Sequence, residues 1–271
     1  PASARPCRTK QRPTINQHTY YIYHDSKLFA THGHTKSKGD YTSMNTRINK
    51  RLVELGLAPS RRKADELIET GRVSINSITI TDMATKVSAE DVIEVDGKGG
   101  QTRDNITVAF YKPVGYVSSH ARQTSNQRTI FDILPAAFAT LKVAGRLDKD
   151  SQGLMVLSSD GGLIHTLSHP SFIKPKVYLV TLDKPLHRSD EDALKTGVRL
   201  RDGLSKFDKV TVIRPNHLRI TLHQGKNRQI RRSFEALGYD VKVLERTAIG
   251  NITSRGLKPG AHVFIQPEDI L

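Results

Sequence analysis

The chain has 271 residues, of which 37% are hydrophobic, so it is long enough to bury the cores of one medium and one small domain. Its formal net charge is +15 and its isoelectric point is about 9.9, which favours a polyanionic partner and makes nucleic acid the leading class. No apolar run approaches the roughly 20 residues that a membrane helix needs, and the N-terminal residues lack the apolar core of a secretory signal.

Cysteine and histidine usage narrows the possible chemistry. Cys7 is the only cysteine, which excludes a disulfide framework and a cysteine-based zinc site. Among the eleven histidines only His32 and His34 have a spacing typical of metal ligands, and they lie in a stretch rich in Gly, Lys and Thr. We therefore expect no metal site and a protein of the reducing cytoplasm.

The first 43 residues differ in composition from the rest of the chain. They carry seven basic side chains against two acidic ones and show no sustained apolar period, which predicts a disordered basic arm. Met44 directly precedes the first periodic segment and is therefore a candidate for the translational start. A short organellar transit peptide is the alternative interpretation of the same composition.

Residues 44–98 have the pattern of a small folded module. A first helix follows Thr46, and a second begins after Ser60, a typical N-cap residue, and ends before Gly71. Three short strands are predicted after the helices. The apolar positions of the first helix are Ile48, Leu52, Leu55 and Leu57, and the strands cover residues 73–75, 78–80 and 92–95.

Positive charge is gathered at one end of this module. Residues 44–98 contain nine basic and nine acidic side chains, yet residues 44–63 hold six cations against Glu54 alone. This segregation predicts a face that contacts RNA phosphates, whereas the alternative is a solvated helix surface with internal ion pairs. The six cations are Arg47, Lys50, Arg51, Arg61, Arg62 and Lys63.

A polar, glycine-containing linker over residues 99–105 leads into a larger domain over residues 106–271. Its many strands and few short helices lack regular alternation, which predicts an α+β fold with a mainly antiparallel, mixed sheet. The predicted strands cover residues 106–111, 177–182, 209–213, 218–222 and 241–244, and the helices cover residues 130–134, 162–167, 189–196 and 229–237.

The stretch 141–157 has the most informative pattern in the chain. Two apolar runs flank a polar loop whose ends are Gly145 and Gly153. Such a loop, bounded by glycines between buried strands, can hold one carboxylate at the floor of a cleft. Asp148 is therefore the candidate for the chemistry, although an ordinary charged turn has the same composition.

Four segments in a fixed order resemble the RsuA-type bacterial ribosomal RNA pseudouridine synthases. They are YKPVGYVSS, GRLDKDSQGLMVLSSDG, KVYLVTLDKPL and QGKNRQIRRSFEALGYDVKVLERTAIGNI. The resemblance extends from about Thr46 to the C-terminus, and the two helices and strands at the front are similar to an S4 RNA-binding fold. It implies a catalytic domain with a central cleft and an enzyme that isomerises uridine to pseudouridine without a cofactor.

The resemblance also implies roles for single residues. Asp148 matches the catalytic aspartate, Arg231 matches the basic residue expected to pair with it, and Tyr178 matches a tyrosine that lies against the uracil. Because the target base must leave its stack, cations have to hold the opened RNA, and Arg146 is expected to support the extruded conformation. Arg228 and Arg232 are expected to bind phosphates.

Two positions depart from the pattern of many relatives. Arg228 replaces His, and Ser233 replaces Met, but neither position supplies the catalytic carboxylate. The segments KDSQGL and NRQIRR are more similar to RluF-type large-subunit enzymes than to the small-subunit enzyme RsuA.

We expect a monomer acting on ribosomal RNA or an assembly intermediate, whereas a non-catalytic RNA-binding or ribosome-assembly protein on the same fold is the alternative. A DNA-binding protein would explain the charge but not the S4-like segment.

Overall fold

The computed structural model describes residues 46–101, 105–169, 172 and 174–270. The predicted basic arm over residues 1–43, Met44 and part of the predicted linker lie outside these residues. Within the described chain no helix is long and apolar enough to cross a membrane.

The N-terminal module has two helices and a small antiparallel sheet around its own apolar core. Ile48, Leu52 and Ile68 are fully buried in this core. The Ser60 hydroxyl accepts a hydrogen bond from the backbone amide of Lys63, so the predicted N-cap is confirmed. The elements are β1 (Thr46–Arg47), α1 (Ile48–Glu54), α2 (Arg61–Glu69), β2 (Val73–Ile75), β3 (Ile78–Ile80), β4 (Lys86–Val87), β5 (Ile93–Val95) and β6 (Lys98–Gly99).

The larger region contains a nine-stranded mixed sheet, which confirms the predicted α+β class. Its strands are β7 (Thr107–Lys112), β8 (Lys142–Ala144), β9 (Gln152–Ser158), β10 (Lys176–Leu182), β13 (Lys209–Arg214), β14 (His217–Leu222), β15 (Val241–Ile249), β16 (Ile252–Thr253) and β17 (His262–Phe264). Three helices, α3 (Gly161–Ser168), α4 (Arg188–Thr196) and α5 (Gln229–Ala236), and a small hairpin of β11 (Val198–Leu200) and β12 (Gly203–Ser205) complete it.

The sheet is antiparallel except at one place. The order is β13-β14-β10-β15-β9-β7-β17, and β9 and β15 form its parallel pair, with Gly153 opposite Arg246. Gly153 has φ of +111°, and a Cβ there would lie 2.3 Å from the Arg246 carbonyl oxygen. Only glycine therefore fits at this close approach of two backbones, which is where the loop of interest rejoins the sheet.

Several predicted boundaries differ from the structure, and the strand predicted over residues 241–244 extends to Ile249 as β15. Lys98 and Gly99 belong to β6, which pairs with β5, so the ordered module continues into the predicted linker. The segment 130–134 forms a single 3₁₀ turn over Ile130–Asp132, closed by a capping box between Thr129 and Asp132. Reciprocal capping satisfies the backbone of so short a turn without further helical residues.

Candidate active site

The GRLD loop, residues 145–151, connects β8 to β9 and carries Asp148. Strands β8 and β9 pair antiparallel, and β9 is almost completely buried in the sheet. Gly145 has φ of +73°, which confirms that the chain needs glycine where it leaves β8. The loop is thus fixed at both ends by glycines in backbone conformations that other residues adopt poorly.

A buried arginine holds both ends of this loop together. Arg246 of β15 is 1% exposed. Its Nε donates to the Leu154 carbonyl oxygen at 2.7 Å, and its Nη2 donates to the Gly145 carbonyl oxygen at 3.0 Å. A charged donor buried among backbone carbonyls makes strong hydrogen bonds, so these contacts fix the spacing of the two strands below Asp148.

A buried lysine holds the middle of the loop. Lys112 ends β7 and is fully buried, and its Nζ donates to the Ser151 carbonyl oxygen at 2.6 Å and to the Pro113 carbonyl oxygen at 3.1 Å. Desolvation lowers the pKa of Lys112 to about 8, although the negative charges of Asp148 and Asp150 oppose that shift.

Backbone and hydroxyl contacts complete the support of the loop. The Ser118 hydroxyl donates to the Leu147 carbonyl oxygen at 2.7 Å, and the Leu147 amide lies 3.1 Å from the same hydroxyl. The Gly115 amide donates to the Lys149 carbonyl oxygen at 2.8 Å. The segment YKPVGYVSS therefore supplies a second layer of support beneath the GRLD loop.

Asp148 faces a cleft of about 530 Å³, a size suited to one nucleotide. Apolar side chains of Leu147, Tyr178 and Leu244 line the cleft together with the polar groups of Arg146 and Arg228. Tyr178 is 9% exposed and also belongs to the main apolar core. The structure thus brings together four of the predicted residues: Asp148, Tyr178, Arg146 and Arg228.

The expected pairing of Arg231 with Asp148 is wrong in this structure. Arg231 Nε lies 3.2 Å from Asp150 Oδ2, and its Nη2 donates to the Asp150 carbonyl oxygen at 2.8 Å. The cation beside Asp148 is Arg228, with Nη1 at 3.8 Å from Asp148 Oδ2. Asp150, two residues further along the loop, therefore forms the ion pair with Arg231 that was expected of Asp148.

Asp150 forms ion pairs with both Arg228 and Arg231. Arg228 donates to its two carboxylate oxygens at 3.1 and 2.9 Å. Partial burial opposes ionisation of Asp150, but the Arg228 hydrogen bonds and the Arg231 charge outweigh it and lower the pKa of Asp150 below its usual value. Arg228 itself adopts φ of +47° at the N-cap of α5. This left-handed conformation is uncommon for a residue other than glycine, and such conformations cluster at functional sites.

Arg232, which was expected to bind a phosphate, is paired with a carboxylate of the protein outside the cleft. Its guanidinium forms two hydrogen bonds with the Asp202 carboxylate, at 2.8 and 2.9 Å, and it is absent from the residues that line the cleft. Helix α5 turns Arg232 away from Arg231 because neighbouring helical residues project about 100° apart.

The six cations of the N-terminal module divide into two groups. Lys50 and Arg51 form ion pairs with Glu54, and Lys63 pairs with Glu66, as a solvated helix surface would. Arg61 and Arg62 are exposed at the start of α2, where positive side chains oppose the helix dipole. Neither of these two, nor Arg47, forms an ion pair within the part of the chain that the structure describes.

Sequence reasoning missed the residues that support the loop, Lys112, Ser118, Asp150 and Arg246. A lysine at the end of an otherwise apolar strand and an arginine within β15 were available signals, because a charged residue in a buried strand needs a partner. The sequence alone does not show, however, whether the side chains of Lys112 and Arg246 are buried or exposed.

Comparison with known proteins agrees with this geometry. Residues 106–236 match the RNA pseudouridylate synthase family, and residues 46–93 match the S4 domain family. A protein of Aquifex aeolicus described as an uncharacterized RNA pseudouridine synthase is 36% identical over 80% of this chain and 89% of its own length. The chain therefore belongs to the RNA pseudouridylate synthases, with an S4 domain ahead of the synthase domain.

More specific relatives have similar coverage. Ribosomal large subunit pseudouridine synthase B of Bacillus subtilis is 31% identical over 83% of this chain and 93% of its own length. The dual-specificity RNA pseudouridine synthase RluF of Escherichia coli K12 is 38% identical over 80% of this chain and 74% of its own. A crystal structure of a pseudouridylate synthase superposes with a TM-score of 0.60 at 28% identity, over 83% of this chain and 97% of the other.

The buried charge of Lys112 generates a prediction about pH. Below pH about 8 both the folded and the unfolded chain hold this proton, whereas between about 8 and 10.5 the unfolded chain holds more of it. Lys112 therefore makes the free energy of unfolding rise with pH across that window. Urea titrations of the native protein and Lys112→Met at pH 7 and pH 9.5 should show the native protein gaining stability relative to the variant. An unchanged difference would contradict a depressed pKa.

Proposed function

We propose that this protein converts a specific uridine of ribosomal RNA, with large-subunit RNA favoured, to pseudouridine, and that Asp148 is the catalytic carboxylate. The observation that carries the proposal is the position of Asp148, on a rigidly supported loop at a nucleotide-sized cleft beside Tyr178. The Bacillus subtilis relative, which is named a ribosomal large subunit pseudouridine synthase, supports the choice of substrate. The protein acts as a monomer in the cytoplasm, on free RNA or on an assembly intermediate.

The reaction rearranges bonds within one nucleotide. The N1–C1′ bond breaks, the uracil turns over, and C5 bonds to C1′ while C5 loses a proton and N1 gains one. Asp148 either attacks C1′, and is displaced when C5 attacks, or removes a proton from C2′ and later returns it. Both routes balance without an oxidant, a reductant or an added atom, so the protein has to supply position and charge.

Asp148 can serve only if it is ionised and unobstructed. Its side chain is 34% exposed to the cleft, and Arg228 at 3.8 Å provides a positive charge without closing on it. Asp150 keeps both Arg228 and Arg231 engaged, and we assign to it the role of a positioning residue. Without Asp150, Arg228 would be free to form a close bidentate pair with Asp148.

The remaining lining of the cleft suits a uracil and its backbone. Tyr178 and the leucines offer flat and apolar surface to the extruded base, and the tyrosine hydroxyl is a candidate acceptor for the C5 proton. Arg146 is exposed at the rim next to Asp148, where its cation can hold a phosphate of the opened strand. Base extrusion then places C1′ against the Asp148 carboxylate.

The first prediction from the proposed function concerns the carboxylate. Asp148→Asn should abolish pseudouridine formation and leave RNA affinity within a few-fold, because the amide preserves size and removes the charge that the reaction uses. Quantification of pseudouridine by mass spectrometry on a ribosomal RNA fragment, with an equilibrium binding assay in parallel, checks both parts. Turnover above a few per cent of the native rate would remove Asp148 from this role.

The second prediction separates positioning from simple structural support. Asp150→Asn should lower kcat about 10- to 100-fold, because Arg228 moves onto Asp148 and misplaces the reacting group. Single-turnover rates should then show that Asp150→Asn combined with Arg228→Gln is faster than Asp150→Asn alone. If Asp150 only stabilised the loop, the double variant would be as slow as the single one or slower.

The third prediction concerns the S4 domain as an RNA anchor. Arg61→Gln with Arg62→Gln should weaken RNA binding and reduce the slope of log affinity against log salt by about 0.7 to 0.9 per lost contact. Stability should be unchanged or slightly higher, because both cations oppose the helix dipole. The matched control is Arg72→Gln with Lys98→Gln, which removes equal charge around Asp96. Equal effects of the two pairs on affinity would show that α2 is not the anchor.

A further inference from the structure

The hairpin of β11 and β12, residues 198–205, stands beside the cleft and has no part in the chemistry above. Its two strands pair from Val198 opposite Ser205 to Leu200 opposite Gly203. Val198 and Ser205 are buried, whereas the residues between them include five exposed ones: Arg199, Arg201, Asp202, Gly203 and Leu204. The base of the hairpin is therefore anchored in the fold and its tip projects into solvent.

Three polar contacts fasten this hairpin to α5 and the loop before it. The hydroxyls of Ser205 and Ser233 are 2.7 Å apart and buried, and the Ser233 hydroxyl also donates to the Gln229 carbonyl oxygen at 2.9 Å. Asp202 at the turn accepts the two hydrogen bonds from Arg232. Ser233, which replaces the Met of many relatives, is thus used to hold the hairpin.

The third contact reaches the cleft itself. Lys226 lines the cleft, and its Nζ donates to the carbonyl oxygens of Asp202 at 3.2 Å and Leu204 at 3.1 Å. The hairpin tip is therefore one side chain away from the space that holds the nucleotide. Because an exposed turn needs no such fastening for its own folding, the contacts fix where the tip stands relative to the cleft.

The tip presents two cationic side chains that form no ion pair with the residues that the structure describes. Asp202 is the hairpin's carboxylate, and Arg232 occupies it. Arg199 and Arg201 are exposed, and neither forms an ion pair within the described residues. Leu204 beside them is 59% exposed, an apolar surface of the kind that packs against an unstacked base. Cations and an apolar side chain together match a nucleic-acid strand better than an acidic protein surface.

We propose that this hairpin is an RNA-contacting element that holds the strand flanking the extruded uridine, with Arg199 and Arg201 on its phosphates. The inference rests on the proposed activity on RNA and adds a contact surface to it. The hairpin binds the strand on one side of the target nucleotide, and the cleft binds the nucleotide itself. Arg232, which lies outside the cleft, contributes by holding the turn in place through Asp202.

The test compares two double variants, each of which removes two positive charges. Arg199→Gln with Arg201→Gln removes the proposed contacts, and Arg214→Gln with Arg219→Gln is the matched control. Arg219 pairs with Leu179, while Tyr178 pairs with Ile220, so the control arginine lies on the sheet face opposite the cleft side chain. All four arginines are exposed, and none of them supports the fold through an ion pair among the described residues.

Affinity for a ribosomal RNA fragment that carries the target uridine is measured over a range of salt concentrations. The hairpin variant should bind about tenfold more weakly and lose about 0.7 to 0.9 from the salt slope for each of two contacts, whereas kcat at saturating RNA changes less than threefold. The control variant should change affinity less than threefold. Equal affinities for the two variants would overturn the proposal even if the native protein forms pseudouridine normally.

A second measurement locates the contact. Leu204→Cys in a Cys7→Ser background provides one thiol for a tethered iron chelate, which cleaves nearby RNA by hydroxyl radicals. Cleavage within a few nucleotides of the target uridine supports the proposal, and cleavage that is absent or dispersed along the RNA contradicts it. Failure of the native protein to form pseudouridine would instead refute the proposed function, because strand contact and chemistry are measured separately.

Discussion

The carbonyl oxygens of the GRLD loop impose the constraint on which the site depends. Six of them, from Gly145 to Ser151 with Arg146 excepted, accept hydrogen bonds inside the protein. Buried carbonyls must be paired, and here the donors include the cations Arg246, Lys112 and Arg231. The buried cations need hydrogen-bond acceptors, and the loop carbonyls need donors. Each group supplies what the other needs, which explains how a polar loop can lie between two buried strands.

This arrangement has a direct electrostatic consequence. The hydrogen bonds from Arg228 and the charge of Arg231 lower the pKa of Asp150 against the effect of its partial burial. Of the two arginines bound to Asp150, Arg228 lines the cleft, and its bidentate pair with Asp150 holds it 3.8 Å from the Asp148 carboxylate. The two carboxylates of the loop thus have different roles. Asp150 positions the arginines, and Asp148 remains available to the substrate.

Much of the fold could be predicted from sequence, because its signals are local. The N-cap at Ser60, the glycines at both ends of the GRLD loop and the strands β13 and β14 follow from short patterns, and all are confirmed. The β11–β12 hairpin was missed because its strands have three residues each and mostly exposed side chains. Strand β17 also has only three residues, and its pairing with β7 joins segments that lie far apart in the sequence.

The pairing of the arginines needed the structure. Asp148 and Asp150 are two residues apart, and an arginine side chain reaches either one, so the spacing of the motifs cannot assign Arg231 to one of them. Packing of α5 against β15 decides, because Arg231 also donates to the Val241 carbonyl oxygen at 2.8 Å and is thereby directed to Asp150. Four residues of the cleft, Asp148, Tyr178, Arg146 and Arg228, were predicted from the sequence, but the ion pairs among the charged residues around it were not.

The most direct test is a map of pseudouridine across ribosomal RNA from cells with and without the gene. One uridine, or a small set in one loop, should lose the modification when the gene is absent. Native protein should restore it, and Asp148→Asn expressed at the same level should not. An identical map in both cells, or full restoration by Asp148→Asn, would contradict the claim that this protein is a ribosomal RNA pseudouridine synthase acting through Asp148.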